Sequence, residues 1–222
     1  KALLAVEMNT PGSCGDSLNV IESDPPTYCE GRTALYFDDF ESGVGAWTVS
    51  NSSPPTPYDW VLVGGLPFGR PGTAWFGEDR HIGDCGGNDE SGLHSLFSPT
   101  IALPAQLNEP GLSFTHYVET ERGYDGGNLK ISVDGGPWTI VPKSAFQHNA
   151  YNEGFDTSPS NTNPIAQEPA WSGVSLQGAQ WGTSVVDLSG FVSGGEEIRL
   201  RFDFGKDGCT GIDGWYVDDV EV

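Results

Sequence analysis

The sequence predicts an all-β domain: two antiparallel sheets packed face to face as a sandwich. Three observations lead there. The 222 residues include 31 Gly and 16 Pro, residues of turns, alongside 7 Trp, 7 Tyr, 11 Phe and a single Met, and aromatic side chains suit a pleated, half-buried surface. Short apolar/polar alternations recur between turn signals at the spacing of a two-sheet β architecture. The length suits one large β domain with a full core.

Residues 1–33, rich in Pro, Ser and Asp after the first eight, read as an N-terminal extension or linker pinned by its own disulfide, with the sandwich over residues 34–222. The opening "KALLAVEM" is too short for a secretory apolar core and reads as the cut end of a longer polypeptide. In "GLSFTHYVE", Leu112, Phe114, His116 and Val118 share one parity, which makes His116 a core or sheet-face histidine. "NLKISVDGGPWTIV" is a hairpin: Leu129, Ile131 and Val133 alternate into "DGG", and the chain returns through Trp138 and Ile140. "EIRLRFDF" is a central strand, with Ile198, Leu200, Phe202 and Phe204 facing the core and Arg199, Arg201 and Asp203 on a wet side. Residues 147–169 show neither period and read as a long loop, the first place to look for a binding surface.

Thirty-one acids against ten Lys and Arg give a formal charge of -21. Such a surface repels nucleic acid and anionic headgroups and favours divalent cations. No apolar run is long enough to cross a bilayer as a helix, so membrane insertion is not expected. The cysteines, Cys14, Cys29, Cys85 and Cys209, are even in number and lack a C-x-x-C pair or zinc-finger histidines. They read as two disulfides, Cys14–Cys29 and Cys85–Cys209, in an oxidising, extracellular or periplasmic setting. The local loop contributes about 3 kcal/mol in the chain-entropy account.

In order along the chain, "DDFESGVGAWTVS", "SLFSPTIALP", "LSFTHYVETERGYDGGNLKISVDGG", "VVDLSGF", "IRLRFDF" and "GIDGWYVDDVEV" resemble the MAM-like jelly-roll modules of secreted bacterial metallopeptidases. Those modules follow immune inhibitor A and some fungalysin-type catalytic domains. The resemblance covers about residues 34–222, and the N-terminal extension departs from it. It implies a non-catalytic accessory module, with a structural calcium ion, attached to the catalytic domain of an exported hydrolase. Fold constrains function only loosely.

Parity places Asp39 and Glu41 with Leu35 and Phe37, and Asp218 with Tyr216, Val220 and Val222, so acids stand in register with apolar residues. A buried, unpaired carboxylate costs several kcal/mol, and few bases lie nearby in sequence. A cation clamping the first strand to the last answers that cost. All candidate donors are hard oxygens, which favours calcium over zinc. The resemblance carries ligand roles to Asp39 and Glu41 of "DFE" and to Asp218 and Asp219 of the final "DD". Asp79 in "FGEDR" is a weaker candidate, whereas Asp125 in "YDGG" and Asp134 in "DGG" read as turn formers.

Tyr151, Phe155, Trp171 and Trp181 are the candidate ligand-binding aromatics, weighed against packing in the core. His81, His94, His116 and His148 do not form H-E-x-x-H, and no G-x-S-x-G, P-loop or dinucleotide fingerprint occurs. The expectation is therefore a secreted, monomeric, calcium-stabilised accessory module that binds a polymeric protein or glycan substrate beside a parent catalytic domain. The alternatives are a carbohydrate-binding module and a stand-alone hydrolase using a carboxylate pair.

Overall fold

The structure is a computed structural model and describes residues 33–51, 59–79, 89–174 and 179–222. Two antiparallel sheets face each other, as the composition predicts. The first has the order Phe146–His148 (β10), Gly182–Asp187 (β13), Gly111–Glu119 (β7), Gly214–Glu221 (β15), Thr73–Glu78 (β4) and Val61–Gly64 (β3), with Phe37–Asp38 (β1) pairing to β15. The second runs Glu153–Gly154 (β11), Pro169–Ser172 (β12), Gly126–Val133 (β8), Glu197–Lys206 (β14), Gly92–Phe97 (β5) and Thr48–Asn51 (β2). Ile101–Ala102 (β6) adds to β14 and Thr139–Ile140 (β9) to β8. Among the described residues no helix is long and apolar enough to cross a membrane.

Strand β14 shows how the pattern becomes packing. Ile198, Leu200, Phe202 and Phe204 are fully buried, between β8 and β5; burial of each is worth about 1.5–3 kcal/mol. Phe202 meets Phe114 of the opposite sheet edge-on at 5.1 Å and Trp215 at 5.9 Å. The other side of β14 is not uniformly wet. Asp203 is wholly buried, held by Lys130 at 2.9 Å, by Arg201 and by the Ser95 hydroxyl at 2.6 Å.

The β8–β9 hairpin forms, with Lys130 opposite Ile140 and Ile131 opposite Thr139. Its turn uses left-handed backbone at Asp134 (φ 50°) and Gly135 (φ 67°), and the Asp134 carboxylate accepts from Glu197 N–H at 2.9 Å. The long segment predicted as a loop is partly ordered into sheet: β10 ends in it, β11 pairs with β12 inside it, and Glu168 returns to Lys130 at 2.7 Å. Asx turns at Asp156, Asn161 and Asn163 carry the rest.

The chain ends meet. Phe37 pairs with Glu221 and Asp38 with Val220, and Val222 exchanges backbone hydrogen bonds with Tyr36. Residues 1–32 lie outside the described residues, as do Cys14, Cys29 and Cys85. Cys209, the described cysteine, is not a free thiol; the two disulfide pairings themselves lie outside the described residues.

Candidate metal centre

Two groups of acids stand at opposite ends of β15. At the chain-terminal end, parity differs from the expectation. Phe40 is buried and Tyr36 packs on the core, whereas Leu35 is exposed, so the core side of the first strand carries Asp38 rather than Asp39. Asp38 is satisfied there: its Oδ2 accepts from Tyr36 O–H and Trp47 Nε1–H, both at 3.0 Å, and its Oδ1 from Phe40 N–H at 3.0 Å. Asp39 accepts from Glu41 N–H at 3.2 Å, and Glu41 from Thr73 N–H at 2.7 Å.

A bulge then reverses the parity of the last strand. Asp219 takes φ 47° and the register against β7 shifts between Asp218 and Glu221. Trp215, Val217, Val220 and Val222 all join the main core, while Tyr216 lies with Leu66, Ala74, Tyr117 and Trp181 in a second cluster. Asp218 is buried, as predicted, yet it does not continue the face of Val220 and Val222.

The base that the local sequence lacks arrives from residue 70. Arg70 Nε donates to Asp218 at 2.9 Å and Nη2 to Asp219 at 2.5 Å, with the guanidinium 4.7 Å from the Trp181 ring centre. Even so, burial and then the neighbouring Asp219 push Asp218 up to about 7. Burial likewise raises Asp219, with Asp39 and Glu41 adding repulsion, which places these acids close enough to interact.

The other group surrounds Asp79. Asp79 lies where β4 leaves Gly214, and Asp219 is five residues further along β15 from that point, about 16 Å at some 3.3 Å per residue. The structure therefore separates Asp79 from the four acids with which it was grouped. Its companions come from two turns. Tyr124 and Asp125 N–H both donate to Glu121 O, at 3.1 and 2.9 Å, a tight turn after β7 that brings Glu121 and Asp125 to one side. Asp207 directly follows β14, and its N–H donates to Asp125 Oδ1 at 2.6 Å.

Carboxylate oxygens of Glu121, Asp125 and Asp207 all lie within 4.8 Å of one another. Asp79 is wholly buried; its Oδ2 accepts from Glu121 and Ile212 N–H at 3.3 Å each, and its Oδ1 has no hydrogen bond. Glu121 Oε2 is buried without one as well. Lys206 faces this end from β14, 3.6 Å from Asp79 and 3.7 Å from Glu90, too far for a short charge-assisted bond. Burial, then repulsion from Asp79, pushes Asp125 up to about 10; burial, then Asp207 and Asp79, pushes Glu121 up to about 7. Asp79 and Asp207 are raised too, chiefly by burial. Asp125 therefore sits in the turn read from the sequence and is in addition a buried carboxylate. Nothing in "ERGYDGG" distinguishes a turn aspartate on the surface from one folded inward.

The four proposed ligand-binding aromatics lie inside the molecule. Tyr151 and Trp171 pack together at 4.4 Å in the main core, Trp181 belongs to the second cluster, and Phe155 packs with Ile165, Ala166 and Ala170. All four are under 8% exposed, so they form no binding surface. The physical reason is area: a sandwich this size fills its interior with its largest rings. Among the described residues the most exposed large apolar side chain is instead Phe68, 80% accessible in left-handed backbone (φ 56°), 6.0 Å from Tyr117.

His116 is a core histidine, as its parity predicts. The Trp215 indole N–H donates to its Nδ1 at 3.1 Å, and indole nitrogen can only donate. With Nδ1 accepting, the proton sits on Nε2, which faces Ser184 Oγ at 2.9 Å and the Asn149 side-chain amide at 2.9 Å, an amide whose oxygen must then be the atom turned toward the ring, while the Ser184 hydroxyl donates to Asn149 O at 2.8 Å. Burial drives the ring down to about 3. A base already protonated toward its serine cannot accept the serine proton, so this pair lacks the geometry of a nucleophile and its base.

No protein-family model matches the chain. Over 189 residues it is 25% identical to bacillopeptidase F of Bacillus subtilis (strain 168), an alignment covering 85% of this chain and 10% of that protein. The chain thus spans about a tenth of the length of that relative. Among solved structures it is similar to the K1 cleaved adhesin domain of Lys-gingipain from Porphyromonas gingivalis W83, with 17% identity, TM-score 0.42, and 84% and 95% of the two chains covered. It is also similar to a xylan-binding domain from CBM 22, with 12% identity, TM-score 0.42, and 85% and 92% covered.

Proposed function

We propose that this chain is a non-catalytic accessory module of a secreted hydrolase, a peptidase, stabilised by calcium and serving substrate or surface attachment. The observation that carries the reading is the imbalance of buried charge. Lys130 is committed to Asp203 and Glu168, and Arg70 to Asp218 and Asp219. Asp79 and Glu90 share Lys206, and Asp125 and Asp207 are buried as well, joined by the Asp207 N–H. Carboxylates in that number need a further positive charge or bound protons, and a divalent ion supplies the charge through hard oxygen donors. The ion's contribution is structural: it neutralises acids where loops leave the sheets, and no reaction step depends on it.

The partial identity to bacillopeptidase F supports attachment to a peptidase, and the paired disulfides expected from sequence support an extracellular setting. An interacting carboxylate pair does exist, Asp79 with Asp125, but both are buried beyond the reach of a polymer, which weighs against a glycosidase-like site. The carbohydrate-binding alternative has one observation in its favour, the exposed ring of Phe68 backed by Tyr117 and Trp181, since aromatic faces stack on sugars.

The deciding experiment presents the 222-residue chain to casein, denatured collagen and a glycan array, with hydrolysis followed in parallel. Retention on protein polymers, lost in Phe68→Ser and without turnover, is the expected result. Retention on glycans alone selects the alternative. Turnover abolished by mutating an acid pair would overturn the non-catalytic reading.

A further inference from the structure

We propose that Glu121, Asp125 and Asp207, with Asp79 behind them, form a binding site for one hard divalent cation at the loop end of the sandwich, separate from the acids at the chain termini. The proposal deepens the calcium-stabilised reading, on which it rests, by saying where an ion is held.

Distance comes first. Two oxygens on one calcium ion cannot lie further apart than about twice the Ca–O distance of about 2.3–2.6 Å, or roughly 5 Å. The three carboxylates meet that limit, with mutual separations within 4.8 Å. Magnesium demands near-ideal octahedral geometry at shorter distances, which suits turn-borne ligands from different elements less well.

The second observation is independent of the clustering. Asp79 is wholly buried and its Oδ1 has no hydrogen bond, while Glu121 Oε2 is buried with none either. Native interiors rarely leave such acceptors unmet, and Asp79 instead meets the Asp125 carboxylate, two buried acids that need a shared proton or a cation beside them. Lys206 does not fill the role, standing 3.6 Å from that Oδ1 and pulled also toward Glu90.

Placement explains what the ion would do. Glu121 and Asp125 belong to the turn that crosses from β7 in the first sheet to β8 in the second, whereas Asp207 ends β14 and Asp79 ends β4. One ion would therefore join two strands of each sheet at a single point. The chain-terminal acids have no comparable gap, because Arg70 already bridges Asp218 and Asp219.

The test is calorimetric titration of the chelator-treated 222-residue chain with calcium chloride. Asp125→Asn keeps the shape of the side chain and an acceptor for Asp207 N–H, and removes one ligand charge. Glu121→Gln, on a partly exposed turn, serves as a second variant if the first does not fold. Each is expected to weaken the site's affinity at least about tenfold or to remove one equivalent of bound calcium, while Glu41→Gln and Asp219→Asn leave that equivalent in place. Wild-type affinity and stoichiometry in both loop-end variants would overturn the proposal and leave the accessory-module reading intact. Loss of the calcium in the chain-terminal variants instead would move the ion there and also overturn it. No binding by the wild type up to about 10 mM, beyond the weakest extracellular calcium modules, would overturn it together with the calcium clause of the proposed function.

Discussion

The substitution Arg70→Met tests how the molecule tolerates acids on its last strand. The guanidinium is nearly buried, at 9% side-chain exposure, and it bridges Asp218 and Asp219. Removing one partner of a buried pair leaves the other charge uncompensated, at a cost of about 3–5 kcal/mol. Loss of the contact with Trp181, 4.7 Å from the guanidinium, adds about 1 kcal/mol that overlaps with this figure. A total near 4 kcal/mol corresponds to a fall of about 10 °C in Tm for a chain of this length. The cost must depend on pH. Asp218 in the folded protein titrates near 7, above its unfolded value of 3.8, so its bound proton favours the fold below about pH 4 and that contribution fades as pH rises to 7. Without Arg70 both acids hold their protons more tightly still, and the fade extends above 7. Urea unfolding at pH 8 should show the full loss and at pH 4.5 only a small one, with Asp218→Asn restoring much of the difference when combined with Arg70→Met. An equal loss at both pH values, or less than about 1 kcal/mol at pH 8, would refute the reasoning.

Three further outcomes are expected. In chelator, Tm should fall as pH rises from about 4 toward 8, because Asp125, Glu121 and Asp207 are all raised in the folded state and the unfolded chain releases their protons; added calcium should flatten that fall, and a flat profile in chelator would contradict the buried-acid account. Gly127→Ala should destabilise by about 1–3 kcal/mol in equilibrium unfolding, since a Cβ there runs into the Trp215 ring and the Asp203 carbonyl; an unchanged midpoint would show that the ring moves freely. Non-reducing peptide mapping should recover Cys14 linked to Cys29 and Cys85 linked to Cys209, and crossed pairing would refute the loop arrangement.

The sandwich was legible because its signals are local. The alternation in "EIRLRFDF" and the "DGG" turn each specify one element without reference to the rest, and both elements form, although the side of β14 read as wet carries the buried Asp203. The acid sites were legible only in part, because what decides them is distant in sequence. Asp218 was correctly placed as buried, but its partner Arg70 lies 148 residues away. Asp39 reads as core-facing because Leu35 and Phe37 are apolar, yet Leu35 is exposed just outside the two-residue strand and Asp38 turns inward to Tyr36 and Trp47. Strict alternation also fails at Asp219, where one residue in left-handed backbone flips every side chain that follows. Asp125 carries no local sign of burial at all. Its burial emerges only when the β7–β8 turn closes against the ends of β4 and β14.

Strand β15 brings these threads together, because it meets both acid groups and treats them differently. Near its C-terminal end the acids face a guanidinium that is fixed in charge and planar, so the two carboxylates are held by directional bonds at 2.5 and 2.9 Å. At its N-terminal end Lys206 offers a single ammonium at 3.6 and 3.7 Å, and two carboxylate oxygens nearby have no hydrogen bond. Asp218 and Asp219 are thus met by a protein cation, whereas at the loop end the missing charge would come from solution, as protons at low pH or as the proposed cation. Condition-dependent stability should accordingly concentrate at the β4, β7–β8 and β14 ends. Hydrogen exchange in chelator should accelerate first at Glu121–Asp125 and Asp207 while Tyr36–Asp38 and Val220–Val222 stay protected, and the reverse order would show that the termini, and not the loops, are the labile end.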